Sequence, residues 1–581
     1  MNGAISLVKK LLERNVTTIF GYPGGAILPV LDALSTNGNG IKYYLSRTEQ
    51  GGGFMADGYA NVTRKIGVVM TTSGPGALNT ITCLQNALSD GTPLLALTGQ
   101  VSTAVLGTDA FQEADVIGIS AKCTKWNKMI KNTTDIHSSI DEAINTALYK
   151  RHGPVLLDLP KNIMSSPVIN SSNNDVSNKS EDDVNIGSTL DYTEITQMIL
   201  KSKRPVILAG KGVIQAGPDA IRNLRKLAKL YNIPVTTTLM GLGIFDEKNS
   251  LSLKMLGMHG SYYANNAIQN CDLLLNFGSR FDDRITGDVT KFAKKATIVH
   301  VDICGKNINK VIKTPYYIND SCTDVLKNLV EKGVLMENNT NRNAEWLSII
   351  RIWKNIGFTY TRSTEVLQGA EVISKLNKLM YSKIYLDKRF TIVADVGAHQ
   401  MWAAQFIDYN YRRIRFLTSG GLGSMGYAVP ASIGAAIGAP SDCVICICGD
   451  GGFTMSFVEL LTAVENKIDV KILVINNSFQ LMVKMWQDKF YEGRHMGVKM
   501  NNPPFELVCK EMGCETMRID INDDVTTKLQ QFLEYKGGPI VANVITNSSE
   551  SVLPMVSPGK ALDDMIVFEN NDLKLEGDAP C

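Results

Sequence analysis

CVICICGDGGFTMSFVELLTAVENKIDVKILVINN, residues 443–477, decides how this chain reads. An apolar β-type run over 443–448 leads into Gly449-Asp450-Gly451-Gly452, which reads as a tight glycine turn. The stretch 456–467 then reads as a helix, 470–475 as a second apolar strand, and Asn476-Asn477 closes the unit. Strand, helix, strand in this order makes the two strands parallel neighbours. Asp450 and Asn477 then stand at their carboxyl ends, where open α/β sheets bind ligands. A carboxylate and an amide oxygen are hard donors suited to Mg²⁺, which keeps phosphate oxygens in its shell. The glycines let backbone N–H groups come close to a diphosphate. Gly-Asp-Gly alone is most often a plain β-turn. The Asn-Asn pair on the next strand end turns the reading towards a metal–diphosphate site.

Outward from this unit the same alternation continues. Strands are expected over 16–20, 41–45, 67–71 and 93–98, with helices over 26–34, 50–61 and 78–89. A second run has strands over 205–209, 235–237, 273–277 and 297–301, and a third begins near 365 with a strand over 391–395. The expected fold class is α/β, with three doubly wound parallel-sheet domains over 1–168, 189–335 and 365–566. Polar stretches over 170–188 and 337–343 read as linkers, and the acidic tail beyond 567 as loose. The first and third runs echo each other. Glu49-Gln50-Gly51 precedes a strand that ends in Thr72-Ser73-Gly74-Pro75-Gly76. Gly420-Gly421-Leu422-Gly423 precedes the strand that ends in Gly-Asp-Gly. Two such folds, each giving one glycine-rich edge, suggest a ligand held between them.

Composition narrows the class. Of 581 residues, 44% are hydrophobic and 20% charged, as in ordinary globular proteins. Lys and Arg total 59 against 57 Asp and Glu, so the net charge of +2 points to neither nucleic acid nor a membrane surface. The 11 cysteines show no Cys-x-x-Cys pairing and read as reduced core thiols. Residues 1–15 read as an amphipathic helix and not as a secretory signal. A cytoplasmic setting, or the interior of a plastid or other organelle, is expected.

The Gly-Asp-Gly/Asn-Asn pair, Glu49-Gln50-Gly51 and the 72–76 turn resemble the thiamine-diphosphate-dependent decarboxylases and carboligases. Further stretches are similar to acetohydroxyacid synthase (acetolactate synthase) catalytic subunits. They are Tyr22-Pro23-Gly24-Gly25-Ala26, residues 107–113, 238–243, 256–260 and 280–284, Met401-Trp402-Ala403-Ala404-Gln405-Phe406, and residues 552–556. The resemblance covers about residues 3–566.

It implies three cofactors: thiamine diphosphate, Mg²⁺ and FAD. Glu49 would hydrogen-bond the thiamine pyrimidine, favouring the imino tautomer whose nitrogen removes the thiazolium C2 proton. Gly397, His399, Gly423, Gly449, Gly451 and Gly452 would meet the thiamine diphosphate, and Met425 would be the wedge that bends it. Asp450, Asn477 and the Phe479 backbone carbonyl would hold the metal. Arg151, His259, Arg280, Asp302 and Asp320 would bind FAD. Gln112 and Lys161 are the further catalytic candidates, and Ser102, Phe111, Arg280, Met482, Val483 and Trp486 would line the substrate channel. The family usually carries His where Thr48 stands, Gly at Lys211, Pro at Ser102, His at Trp126 and often Gln at Ala398.

The implied activity is decarboxylation of pyruvate and condensation of the hydroxyethyl unit with pyruvate or 2-oxobutanoate. The products are 2-acetolactate and 2-aceto-2-hydroxybutanoate, at the first common step of branched-chain amino acid biosynthesis. The reaction has no net redox change, so FAD would be structural. The implied assembly is a homodimer or homotetramer, with each site shared between subunits and a possible small regulatory subunit. Rival readings are a pyruvate oxidase-type flavoprotein and a non-catalytic paralogue. Presence of Glu49, Asp450 and Asn477 argues against the second.

Overall fold

The computed structural model describes residues 1–168, 186–334 and 343–567. The linkers expected over 170–188 and 337–343 fall almost wholly outside the described residues, as does the tail beyond 567.

Three six-stranded sheets, all of parallel strands, carry the chain. The first comprises β1 (Thr18–Gly21), β2 (Lys42–Leu45), β3 (Gly67–Thr71), β4 (Leu94–Gln100), β5 (Trp126–Met129) and β6 (Pro154–Pro160), in the order β2-β1-β3-β4-β6-β5. The second comprises β7 (Pro205–Ala209), β8 (Val235–Thr237), β9 (Ser252–Met255), β10 (Leu273–Phe277), β11 (Thr297–Val301) and β12 (Tyr316–Ile318), in the order β12-β11-β10-β7-β8-β9. The third comprises β13 (Phe390–Ala394), β14 (Ile414–Thr418), β15 (Cys443–Gly449), β16 (Lys471–Asn476), β17 (Glu515–Ile519) and β18 (Ile540–Ile545), in the order β14-β13-β15-β16-β18-β17. The first and third therefore share one strand order, and the echo between them is topological. The middle sheet, counted from β7, runs 3-2-1-4-5-6, the order of dinucleotide-binding sheets.

Side-chain alternation explains the layers. Val68 and Met70 face one core while Val69 faces another, and Ile445 and Ile447 likewise point away from Cys446 and Cys448. Phe20, Val69 and Leu156 of the first sheet and Val444, Cys446 and Val474 of the third belong to the same core. The helices Glu49–Thr63 and Ala428–Gly438 pass between the two sheets within it. A Cβ on Gly58 would collide with the Ala431 carbonyl, and one on Gly434 with the Met55 carbonyl, so the two helices cross at backbone contact.

Local expectations fail in two places. The Gly-Asp-Gly segment is not a turn ahead of a helix over 456–467. Gly449 is an extended N-cap and Asp450 starts the helix Asp450–Ser456, followed by a 3₁₀ turn Phe457–Glu459 and the helix Leu460–Glu465. A carboxylate in the first turn suits the positive helix end, which offsets the poor helix propensity of two glycines. The helix expected over 78–89 is also split, into Pro75–Leu78 and Ile81–Asp90. Between them the Thr80 hydroxyl donates to the Ala77 carbonyl at 2.6 Å.

Candidate active site

The third sheet reverses its strand order at β13 and β15, and the loops beyond these strands build the floor of the site. Asp395, just past β13, is fully buried and accepts the N–H groups of Val396 (2.7 Å), Gly426 (3.0 Å) and Ala428 (3.0 Å). It thereby ties the loop bearing Met425 to the sheet. Burial pushes its carboxyl up to about 6, against the pull of those three N–H groups. The His399 ring accepts the Gly449 N–H on Nε2 at 3.2 Å, and burial lowers its pKa to about 3, so the ring is neutral. A Cβ on Gly449 would lie 2.9 Å from that ring and one on Gly452 2.8 Å from Asp395. These glycines are needed where backbone, imidazole and carboxylate crowd one loop.

Asp450 is 2% exposed and its carboxyl is raised by burial. Its Oδ1 accepts the Gly451 N–H at 3.1 Å. Its Oδ2 accepts the Asn502 amide at 2.6 Å, and the same Asn502 nitrogen donates to Asn476 Oδ1 at 3.0 Å. Asn477 turns its Oδ1 to the Phe479 N–H at 3.0 Å. The segment around Asn502 is brought in by backbone bonds from Gln480 to Val498 (2.7 Å) and from Met500 to Ser478 (2.8 Å). Asp450, Asn477 and the Phe479 carbonyl offer only oxygen donors, a set that could hold Mg²⁺ with water and phosphate in its remaining positions. Asn502 escaped the sequence reading because nothing in the local pattern connects it to Asp450.

The middle sheet reverses at β7 and β10. Gly210 and Gly212, after β7, abut the Gly278 backbone after β10, so these two glycines serve loop packing. Arg151 donates to the carbonyls of Leu88 (2.9 Å) and Ser89 (2.8 Å), and burial lowers its pKa. Asp302 accepts the Cys304 N–H at 2.8 Å, and burial raises its carboxyl to about 6. His259 is held neutral by burial, which lowers its pKa to about 4 against a backbone hydrogen bond with Pro554.

One cavity of about 940 Å³ joins these two regions. Its lining includes Gly397, His399, Gly423, Met425, Gly449, Asp450, Gly451, Gly452, Asn477 and Phe479 on the third-sheet side. On the other side it includes Arg151, His259, Arg280 and Asp302, and Met482, Val483 and Trp486 stand at its wall. Trp486 packs its ring on Phe490 at 5.2 Å between centroids. Asp320 is not among the lining residues; it is exposed and accepts the Ser321 N–H at 2.7 Å, while Ser321 and Cys322 do line the space.

The remaining candidates gather on the first sheet's ligand edge. Glu49 opens the helix Glu49–Thr63; its Oε2 accepts the Asn79 amide at 3.0 Å, and its Oε1 would lie 3.3 Å from a Cβ on Gly76. The Glu49 and 72–76 motifs thus meet. Gln112 has φ 59° and its carbonyl backs onto Gly74, while Phe111 is 89% exposed. Glu113 organises their loop, accepting the N–H groups of Gly107 at 2.5 Å and Ala110 at 3.0 Å. Ser102 lies on the loop after β4 and Lys161 starts the short helix Lys161–Ser165; Asn162 of that helix accepts the Thr103 N–H at 3.0 Å and joins the two. None of Glu49, Ser102, Phe111, Gln112 and Lys161 lines the cavity of its own chain.

Residues 1–119 match the N-terminal TPP binding domain of thiamine pyrophosphate enzymes, 192–329 the central domain and 395–544 the C-terminal TPP binding domain. The chain is 43% identical to the mitochondrial acetolactate synthase of Schizosaccharomyces pombe, over 96% of its own length and 85% of the relative's. It belongs to the acetolactate synthase family. The mitochondrial acetolactate synthase catalytic subunit of Saccharomyces cerevisiae is 40% identical, over 96% of this chain and 82% of the relative. The acetolactate synthase large subunit of Corynebacterium glutamicum is 40% identical, over 97% and 90%. Membership of the acetolactate synthase family accounts for the two TPP-binding folds on either side of a third. Among the described residues no helix is long and apolar enough to cross a membrane.

Proposed function

We infer that this chain decarboxylates pyruvate and condenses the two-carbon unit with pyruvate or 2-oxobutanoate. The observation that carries this reading is kinship over nearly the whole length with enzymes named acetolactate synthase. Thiamine diphosphate, when bound, supplies the nucleophilic carbon and the electron sink for the loss of CO₂. The residues present fit it: a glycine-built floor, an adjoining set of oxygen donors for Mg²⁺ and a partly exposed Met425 on the cavity wall. Asp450, Asn477 and Phe479 would hold Mg²⁺, and Met425 would orient the cofactor. Glu49 would keep a carboxyl hydrogen bond on the pyrimidine ring, the position from which a proton can be relayed.

The middle-domain half of the cavity is taken as an FAD site. The 3-2-1-4-5-6 strand order and the cations Arg151 and Arg280 on the cavity lining support it. The position of Glu49, Gln112 and Lys161 off their own chain's cavity supports a site completed by a second copy, so a homodimer is the smallest active unit. The word "subunit" in two relatives' names supports further assembly, and "mitochondrial" in the fungal names supports an organelle setting.

The test is incubation of the purified protein with pyruvate, Mg²⁺ and thiamine diphosphate under anaerobic conditions. Expected are 2-acetolactate, release of CO₂ and a flavin that stays oxidised throughout. Bleaching of the flavin, or O₂ uptake in air, would move the reading to a pyruvate oxidase-type enzyme. A cofactor-loaded protein with no product would move it to a non-catalytic paralogue.

A further inference from the structure

Glu459 lies nine positions after Asp450, at the end of the 3₁₀ turn that follows the Asp450–Ser456 helix, and it is fully buried. Its carboxylate does not serve its own domain. Oε2 accepts the Arg47 N–H at 2.8 Å; Oε1 accepts the Thr48 N–H at 2.9 Å and the Thr48 hydroxyl at 2.8 Å. These donors immediately precede Glu49. The same Thr48 hydroxyl accepts the Gly51 N–H at 2.9 Å, so one oxygen caps the helix while donating a hydrogen bond to Glu459. Gly51 leaves the space for this: a Cβ there would run into the Glu459 carboxylate. Burial raises the Glu459 carboxyl, and the Arg47 and Thr48 donors pull it back towards the ionised form, in which such hydrogen bonds are about twice as strong as neutral ones. Three of them on two consecutive residues fix the backbone from which Glu49 projects.

We propose that Glu459 is a positioning residue for Glu49, acting through Thr48, so that the segment carrying one chain's metal-site aspartate also sets that chain's proton-handling glutamate. The role found for Thr48 follows from a hydroxyl's capacity to donate and accept at once. If Glu49 serves a second copy's cofactor, this carboxylate is also a rigid link between two active sites. The proposal rests on the reading of Glu49 given above, and the experiment separates the two.

Four variants are compared as cofactor-loaded holoenzyme: Glu49→Gln, Glu459→Gln, Thr48→Val and Thr48→Ser. Two quantities are read. The first is the rate of H/D exchange at C2 of bound thiamine diphosphate. The second is backbone amide exchange over residues 47–52 in cofactor-free protein, by mass spectrometry. Glu459→Gln and Thr48→Val are expected to slow C2 exchange roughly tenfold, a factor equal to one lost hydrogen bond of ordinary net strength. Cofactor affinity should stay within about twofold, since neither Thr48 nor Glu459 lines the cavity. Both should speed amide exchange over 47–52, and Thr48→Ser, which keeps the hydroxyl, should behave as the parent in both measurements. Parent-like C2 exchange in Thr48→Val, with slow exchange in Glu49→Gln, would overturn the positioning role while leaving Glu49 in place. Parent-like exchange in Glu49→Gln would overturn the reading of Glu49 itself. Should Glu459→Gln not fold, the Thr48 pair decides the matter alone.

Discussion

β3 and β15 hold the same place in sheets of the same strand order, and each is followed by a glycine N-cap and a short helix. After β3 the turn Thr72-Ser73-Gly74 is uncharged, with Gly74 at φ 54°, and the nearby charge comes from Glu49 on the helix after β2. After β15 the charge sits at the first position of the helix itself, as Asp450, and is held by Asn502. One edge presents a partly exposed carboxylate beside an open turn, a form suited to exchanging a proton. The other presents a buried carboxylate among amide oxygens, suited to an ion. A single topology can therefore serve the two ends of one cofactor, because the sheet sets where ligands go and the loops set what they meet.

This contrast can be broken most severely at Asp450. Asp450→Ala should weaken Mg²⁺-dependent retention of thiamine diphosphate by on the order of 10³-fold, the scale of leaving a charge unpaired at a dry site. Equilibrium dialysis with and without chelator checks this, and unchanged retention would show that the third edge holds no ion. Next comes Glu49→Gln, expected to cut C2 exchange roughly 10²-fold with only a small loss of cofactor affinity. Equal losses of rate and affinity would mean that both edges bind and neither handles protons. A milder probe is Asn502→Ala. It frees the Asp450 carboxylate from its orienting amide, and half-saturating Mg²⁺ should rise roughly tenfold, as for other second-sphere partners. Titration of activity against Mg²⁺ reads it out. The smallest effect is expected at the cavity wall. Trp486→Leu should lower the preference for 2-oxobutanoate over pyruvate by a factor of roughly ten, towards the low end of the about 1–3 kcal/mol that one methylene is worth, since a Leu side chain keeps part of the apolar wall. Competition between the two acceptors measures it.

The strand-level legibility of the chain follows from burial. β3, β7, β8, β10 and β11 begin and end where the apolar runs do, because each lies inside its sheet with Gly, Pro or polar residues at its ends. β5, Trp126-Asn127-Lys128-Met129, sits at a sheet edge with every residue half-buried and shows no apolar run to find. At the candidate site, groupings that rest on local pattern were legible: Asp450 with Asn477, and Glu49 with its glycines. Residues that act by reaching across the fold were not. Asn502 meets Asp450 from 52 positions away and Glu459 meets Thr48 from 411. Neither separation leaves a mark on a single sequence. The split of the chain's candidates between the cavity and the first-sheet edge was likewise invisible, since spacing along the chain does not tell which chain's ligand a loop will face.

Gly58 and Gly434, where the two long helices touch backbone to backbone, carry a consequence for inheritance. The first and third sheets share one core and meet at a crossing with no room for a side chain between the helices. A lone extra methyl at that crossing would pry apart two sheets at once, far from any reacting atom. Across random variants of this gene, alanine at Gly58 or Gly434 should be purged as strictly as loss of Asp450. A survival map would mark the crossing as though it were part of the chemistry.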